Sequence, residues 1–130
     1  MKIQNLVAID THVHVESEVA NNAAGDAARK YFGNSGVSYG RKDLAEYYRS
    51  RNIGCVVFSV DEKLTGRPPV PNEEVAAFAA ENSDFMIAFA SVNPMRGKDD
   101  VDEARRLIKA GGIRGFKLHP PLQQFHANDK

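Results

Sequence analysis

Four short apolar runs recur along the chain, Leu6 to Val15, Ile53 to Val60, Phe85 to Val92 and Ile113 to Leu118, and they constrain the fold more than any other feature. Each is rich in β-branched or aromatic residues and far too short to span a membrane, which is the pattern of buried strands. The segments between them carry the helical period instead. RKDLAEYYRSR brings Leu44, Tyr47 and Tyr48 ahead of the second run, and NEEVAAFAAEN sets Val75, Phe78 and Ala79 at helical spacing, with Asn72 after Pro71 as the expected N-cap. DDVDEARRLIKAGG aligns Val101, Ala104, Leu107 and Ile108 on one stripe, with Asp99 and Asp100 at its start and Gly111-Gly112 as its stop. A further short helix is expected around residues 26–32, and residues 33–40 and 65–71 read as loops.

Strand, helix, strand, repeated three times with continuous rather than alternating hydrophobicity, predicts a parallel sheet covered by helices, the α/β class. Two architectures fit. A small open doubly wound sheet suits the length of 130 residues, whereas an eight-stranded (β/α)8 barrel ordinarily takes about 250. No internal repeat, low-complexity segment or interdomain linker is present, so the chain reads as one domain or part of one.

The first run ends in IDTHVHV, which spends two of only four histidines on alternate positions. Successive side chains of a strand point to opposite faces, so Asp10, His12 and His14 are expected on one face and Thr11, Val13 and Val15 on the other. Two imidazoles at i and i+2 can reach a single ion, and parallel α/β proteins keep their sites at the carboxyl ends of strands. The same histidines also fit the decorated end of an ordinary strand. Asp10, one pair deeper, suits a supporting group better than a ligand.

The fourth run repeats the parity argument, because in GFKLHPP the residues Gly115, Lys117 and His119 share one face and Phe116 and Leu118 the other. A buried lysine requires a carboxylate, an anionic substrate or water, unless it snorkels to solvent. Asp61, in Val60-Asp61-Glu62-Lys63, and Asn93, in Val92-Asn93-Pro94, follow the second and third runs and are candidates to line a pocket or to sit in solvated loops. His126 has the same two readings. No G-x-G-x-x-G after a strand, no Walker loop and no G-x-S-x-G occurs, so nucleotide-binding and serine-hydrolase readings find no support.

Lys+Arg and Asp+Glu number 17 each, and neither the balance nor any run of charge points to nucleic acid or an anionic membrane. Cys55 is the only cysteine and sits in an apolar run, which excludes a disulfide framework and suits a reducing cytoplasm. The amino-terminal MKIQNLVAID is interrupted by Gln4, Asn5 and Asp10 and is expected to be neither signal peptide nor membrane span.

IDTHVHV, ASVNP after the third run and RGFKLHPPLQ on the fourth together resemble the N-terminal half of the amidohydrolase superfamily, in the amidohydrolase-related branch of metal-dependent hydrolases and non-oxidative decarboxylases. The resemblance implies that residues 1–130 are the first four β/α units of a (β/α)8 barrel, incomplete in this chain, with His12 and His14 as metal ligands. It implies a divalent cation, zinc by default and manganese as the alternative, and a small carbonyl or carboxylate substrate to be hydrolysed or decarboxylated. Lys117 and His119, with Asp61 and Asn93, are expected on the substrate side. Relatives draw their remaining ligands from strands five, six and eight, so residues 1–130 alone are not expected to be active, and a homo-oligomer or a missing C-terminal half is expected to complete the barrel. The competing expectation is a non-catalytic α/β binding module that self-associates and whose histidines are incidental.

Overall fold

The computed structural model describes residues 1–16, 40–64 and 68–129. Strands β1 (Ala8–His14), β2 (Ile53–Phe58), β3 (Met86–Ala90) and β4 (Ile113–Phe116) form one sheet in the order β1-β2-β3-β4, and every neighbouring pair is parallel. Helices α1 (Arg41–Ser50), α2 (Asn72–Glu81) and α3 (Lys98–Ala110) connect them, and a short α4 (Pro120–Gln123) follows β4. The α/β class predicted from the periodicity is what forms. The helix expected over 26–32 lies outside the described residues, as do 33–39 and 65–67 of the expected loops.

Strand order decides between the two architectures. A doubly wound sheet reverses its order at a switch point, whereas right-handed crossovers between strands taken in chain order keep every helix on one face, as in a barrel. The packing agrees. Ala45 and Tyr48 of α1, Val75, Phe78 and Ala79 of α2 and Leu107 of α3 share one core with Cys55, Val57, Met86, Ala88, Ala90 and Ile113 from the sheet. Val56, Phe58 and Val60, with Ile87 and Phe89 packed against them, form a separate cluster on the opposite face, to which none of the described helices contributes. Because β2 is covered on both faces, IGCVVF is apolar throughout.

Two expectations about the helices are corrected. Asn72 is the first residue of α2 rather than its cap, which is Pro71. Its amide instead clasps the end of β3, donating from Nδ2 to Ser91 O at 3.0 Å and accepting at Oδ1 from Ser91 N at 2.9 Å. On α3 only Leu107 of the predicted stripe is fully buried, while Val101 and Ile108 stand 48% and 59% exposed. The cause is position: α3 flanks β4, the edge strand, and no described element lies beyond it to cover the rest of the stripe. Gly111 and Gly112, at φ of 80° and 85°, stop α3 in the left-handed region that glycine enters without strain. Among the described residues no helix is long and apolar enough to cross a membrane.

Candidate functional site

Three residues of β1 are spanned by two of β2, since Asp10 pairs with Cys55 but Val13 pairs with Val57. This bulge corrects the expectation that Asp10 shares a face with the histidines. An extra residue in one strand shifts its alternation by one step, so residues before and after it exchange faces. Asp10 therefore turns toward the helices, where its Oδ2 accepts a hydrogen bond from the Tyr48 hydroxyl at 2.8 Å beside buried Cys55. His12 and His14 turn to the opposite face, and Val13 and Val15 join the helix-side core. Asp10 Oδ1 also accepts from the His12 backbone N–H at 2.9 Å. Burial pushes both the Tyr48 hydroxyl and the Cys55 thiol up, the thiol to about 12, and the neighbouring Asp10 charge adds to both shifts.

On the face away from the helices the two imidazoles converge, with His12 Nε2 and His14 Nε2 3.2 Å apart. Phe58, 1% exposed, is their common wall: the His12 and His14 ring centroids stand 5.4 and 4.8 Å from its own, both edge-on. Lys117 Nζ lies 4.9 Å from the centroid of the same ring. The His14 pKa is lowered below 6.5, first by burial and then by the positive charge of His12, Lys117 and His119, against a smaller opposing pull from Glu16. Neutral imidazole is the form with a lone pair to donate.

Two nitrogens bound to one tetrahedral ion at about 2.0–2.1 Å each stand about 3.3 Å apart, so the spacing of this pair fits a shared divalent cation. Among the described residues no cluster of three or more His, Cys, Asp or Glu accompanies them.

β4 carries a second bulge, because Ala88 pairs with Ile113 whereas Phe89 pairs with Gly115. Ile113 and Phe116 consequently pack on the helix side, while Gly115 and Lys117 face the histidines. Glycine is required at 115 by space, since a Cβ there would stand 2.6 Å from Phe89 Cζ. His119 caps α4, its Nδ1 accepting from Leu122 N at 3.4 Å and its own N–H donating to Gln123 Oε1 at 2.7 Å.

Asp61 and Asn93 also stand at strand carboxyl ends, in a separate polar knot. The Asp61 carboxylate is ion-paired with Arg96, which also holds Asp100 through Nε at 2.6 Å. Asn93 Oδ1 accepts from Met95 N at 3.1 Å, and its N–H donates to Asp100. Buried Gln123 joins the knot to His119, donating from Nε2 to Asp61 O at 3.0 Å and Val92 O at 2.8 Å. His126 is exposed, with its N–H bonded to Asp129 Oδ2 at 2.7 Å. The structure thus brings His12, His14 and Lys117 around Phe58 with His119 near, and leaves Asp61 and Asn93 in their own network. No motif marks Phe58, Arg96 or Gln123, and the sequence marks Tyr48 and Asp100 only as helix residues. The one signal available was the i,i+4 spacing of Arg96 and Asp100.

A parallel sheet in chain order, helices on one face and paired imidazoles at the carboxyl end of the first strand define a barrel-type α/β protein. The sequence matches the amidohydrolase family over residues 9–130, and the chain belongs to that family of hydrolase-like enzymes. Its described β/α units are the opening units of the (β/α)8 barrel. Comparison with curated proteins and with solved structures returned no match.

Proposed function

We propose that the chain supplies the amino-terminal half of a metal-dependent enzyme that hydrolyses or decarboxylates a small carbonyl or carboxylate substrate, with His12 and His14 holding the cation. The observation that carries this reading is the 3.2 Å separation of the two Nε2 atoms on the face of the sheet away from the helices. Zinc is the default ion for an imidazole pair and manganese the alternative. A bound cation would polarise a substrate carbonyl or lower the pKa of a bound water to about 7.

The chain's own residues do the rest. Desolvation favours the neutral, ligating form of His14, and Phe58 packs edge-on against both imidazoles, which remain open to solvent. Lys117, above the same ring, is oriented to receive an anionic group of the substrate, and His119 borders it. Asp61 and Asn93 bound the substrate side through the strand-end knot rather than by free side chains. A cytoplasmic location belongs to the same proposal, supported by one buried, protonated thiol.

A second reading, the self-associating module, draws support from apolar side chains left open on the edge strands and the residues flanking them: Val7 is 76%, Ile9 47% and Leu118 41% exposed. Titration with Zn2+ and Mn2+ separates the two. One site per chain lost in both His12→Ala and His14→Ala is the expected result. Retention of the same stoichiometry and affinity in both variants would leave the histidines incidental.

A further inference from the structure

We infer that Tyr48 and Asp10 form a positioning clasp that holds the β1 bulge and so aims His12 and His14 at a common point. The inference rests on the metal reading above, but its geometry is independent of it. A bulge leaves one residue off the hydrogen-bond ladder. Here His12 stands between the paired residues Asp10 and Val13, and its N–H is taken up by Asp10 Oδ1 at 2.9 Å. The other carboxylate oxygen accepts from Tyr48 on α1 at 2.8 Å. One carboxylate therefore ties the kinked backbone of β1 to a helix 38 residues further along the chain.

Tyr48 is a firm anchor. It is 9% exposed, belongs to the helix-side core and packs edge-on against Tyr47 with ring centroids 5.3 Å apart. Asp10 itself is a poor candidate for ligation, because it lies on the opposite face from the imidazole nitrogens and both of its oxygens are engaged. Loss of the bulge would return β1 to strict alternation. Val13 and Val15 could then stay in the core only if Asp10, Ile9 or the strand's whole pairing with β2 were displaced, and the two imidazoles would no longer be held to one phase. A tyrosine on the helix layer, remote from the histidines, thus controls their convergence.

The test compares Tyr48→Phe, Asp10→Asn and Asp10→Ala with the unaltered chain by Zn2+ titration, thermal unfolding and, without metal, the nuclear Overhauser contact between the His12 and His14 rings. Tyr48→Phe deletes one hydroxyl and is expected to weaken Zn2+ binding about tenfold with its unfolding midpoint nearly retained, within the range usual for groups that orient ligands. Asp10→Ala is expected to lose more, Asp10→Asn less because a side-chain carbonyl still accepts from His12 N–H. The double variant Tyr48→Phe with Asp10→Ala should lose no more than Asp10→Ala alone, since the hydroxyl acts only through the carboxylate.

Zn2+ affinities within twofold of the unaltered chain in Tyr48→Phe and Asp10→Ala, while His12→Ala abolishes binding, would overturn the clasp. Failure of the unaltered chain to bind Zn2+ would instead refute the metal reading. The ring-to-ring contact then decides the clasp alone: its loss in Tyr48→Phe supports it and its persistence overturns it. Should Asp10→Ala not fold, Tyr48→Phe carries the same decision.

Discussion

Replacing Phe58 by alanine tests the face of the sheet away from the described helices. Phe58 is 1% exposed and packs with Val56, Val60, Ile87 and Phe89 while meeting both imidazoles edge-on. Truncation removes the ring, about 120 Å² of buried apolar surface, which at about 25 cal/mol per Å² comes to ~3 kcal/mol. Measured Phe→Ala losses in closed cores run ~3–5 kcal/mol, and the lower end applies because this layer is bounded on one side only by strand residues, so neighbours and water can enter the gap. With a urea m-value of about 2 kcal/mol/M, the midpoint should fall by roughly 1.5 M. Far-ultraviolet circular dichroism in urea reads this directly, and Phe58→Leu, which keeps most of the volume, should lose about 1 kcal/mol. Burial of Phe58 is supplied within one chain, so the shift should not depend on protein concentration. A loss below about 1 kcal/mol for Phe58→Ala, or a loss that appears only at high concentration, would refute the claim that this chain packs that layer itself.

Acid should weaken the fold through His14. Its folded pKa lies below 6.5, so the unfolded chain takes up this proton first; the stability contributed by neutral His14 is present above pH 6.5 and is lost as pH falls through the folded value. Urea midpoints measured between about pH 7.5 and 5 should decline for the unaltered chain and flatten in His14→Gln, and equal slopes would exclude the assignment. Arg96→Met strips the 5%-exposed Asp100 of its ion pair and should cost about 2 kcal/mol, discounted because Arg96 is half in solvent, with part of the loss recovered by adding Asp100→Asn. Denaturation of the single and double variants checks this, and no recovery would mean the pairing is not what matters. Gly115→Ala should cost about 1–3 kcal/mol by forcing the Phe89 ring aside, readable in the same assay, and a neutral result would contradict the 2.6 Å approach. Light scattering of residues 1–130 is expected to exceed the 14.3 kDa of one chain as the open edges associate, and a monomer at every concentration would count against it.

The sheet was legible because a parallel strand buried on both faces, such as IGCVVF, leaves an unbroken apolar run that few other structures produce. Helix ends marked by chain chemistry were legible for the same reason: Gly111-Gly112 stops α3 where the left-handed conformation is needed. What periodicity cannot carry is coverage. The stripe of Val101, Ala104, Leu107 and Ile108 is a correct helical face, yet its burial depends on a neighbour beyond β4 and not on the residues of α3. Nor can it tell a cap from a clasp, since Asn72 after Pro71 has the composition of an N-cap but spends both amide groups on Ser91, 19 residues away.

The histidines show the limit most clearly. Strict alternation puts Asp10, His12 and His14 on one face and Ile113, Gly115 and Lys117 on one face, and in each strand the structure separates the first residue from the other two. Both separations come from a bulge, and both have the same result: an early residue stays with the helix layer while the later polar ones turn toward Phe58. A bulge leaves no mark in hydrophobic periodicity, because it is one residue long and its cost is met by side chains from elsewhere, here Asp10 with Tyr48 on β1 and the close fit of Gly115 under Phe89 on β4. The motif IDTHVHV therefore identifies which atoms could hold an ion, but their convergence to 3.2 Å is decided by a tyrosine on α1 that no local pattern connects to it. Variants chosen from the motif alone would remove the histidines and report only that they matter; Tyr48→Phe asks what makes them a pair.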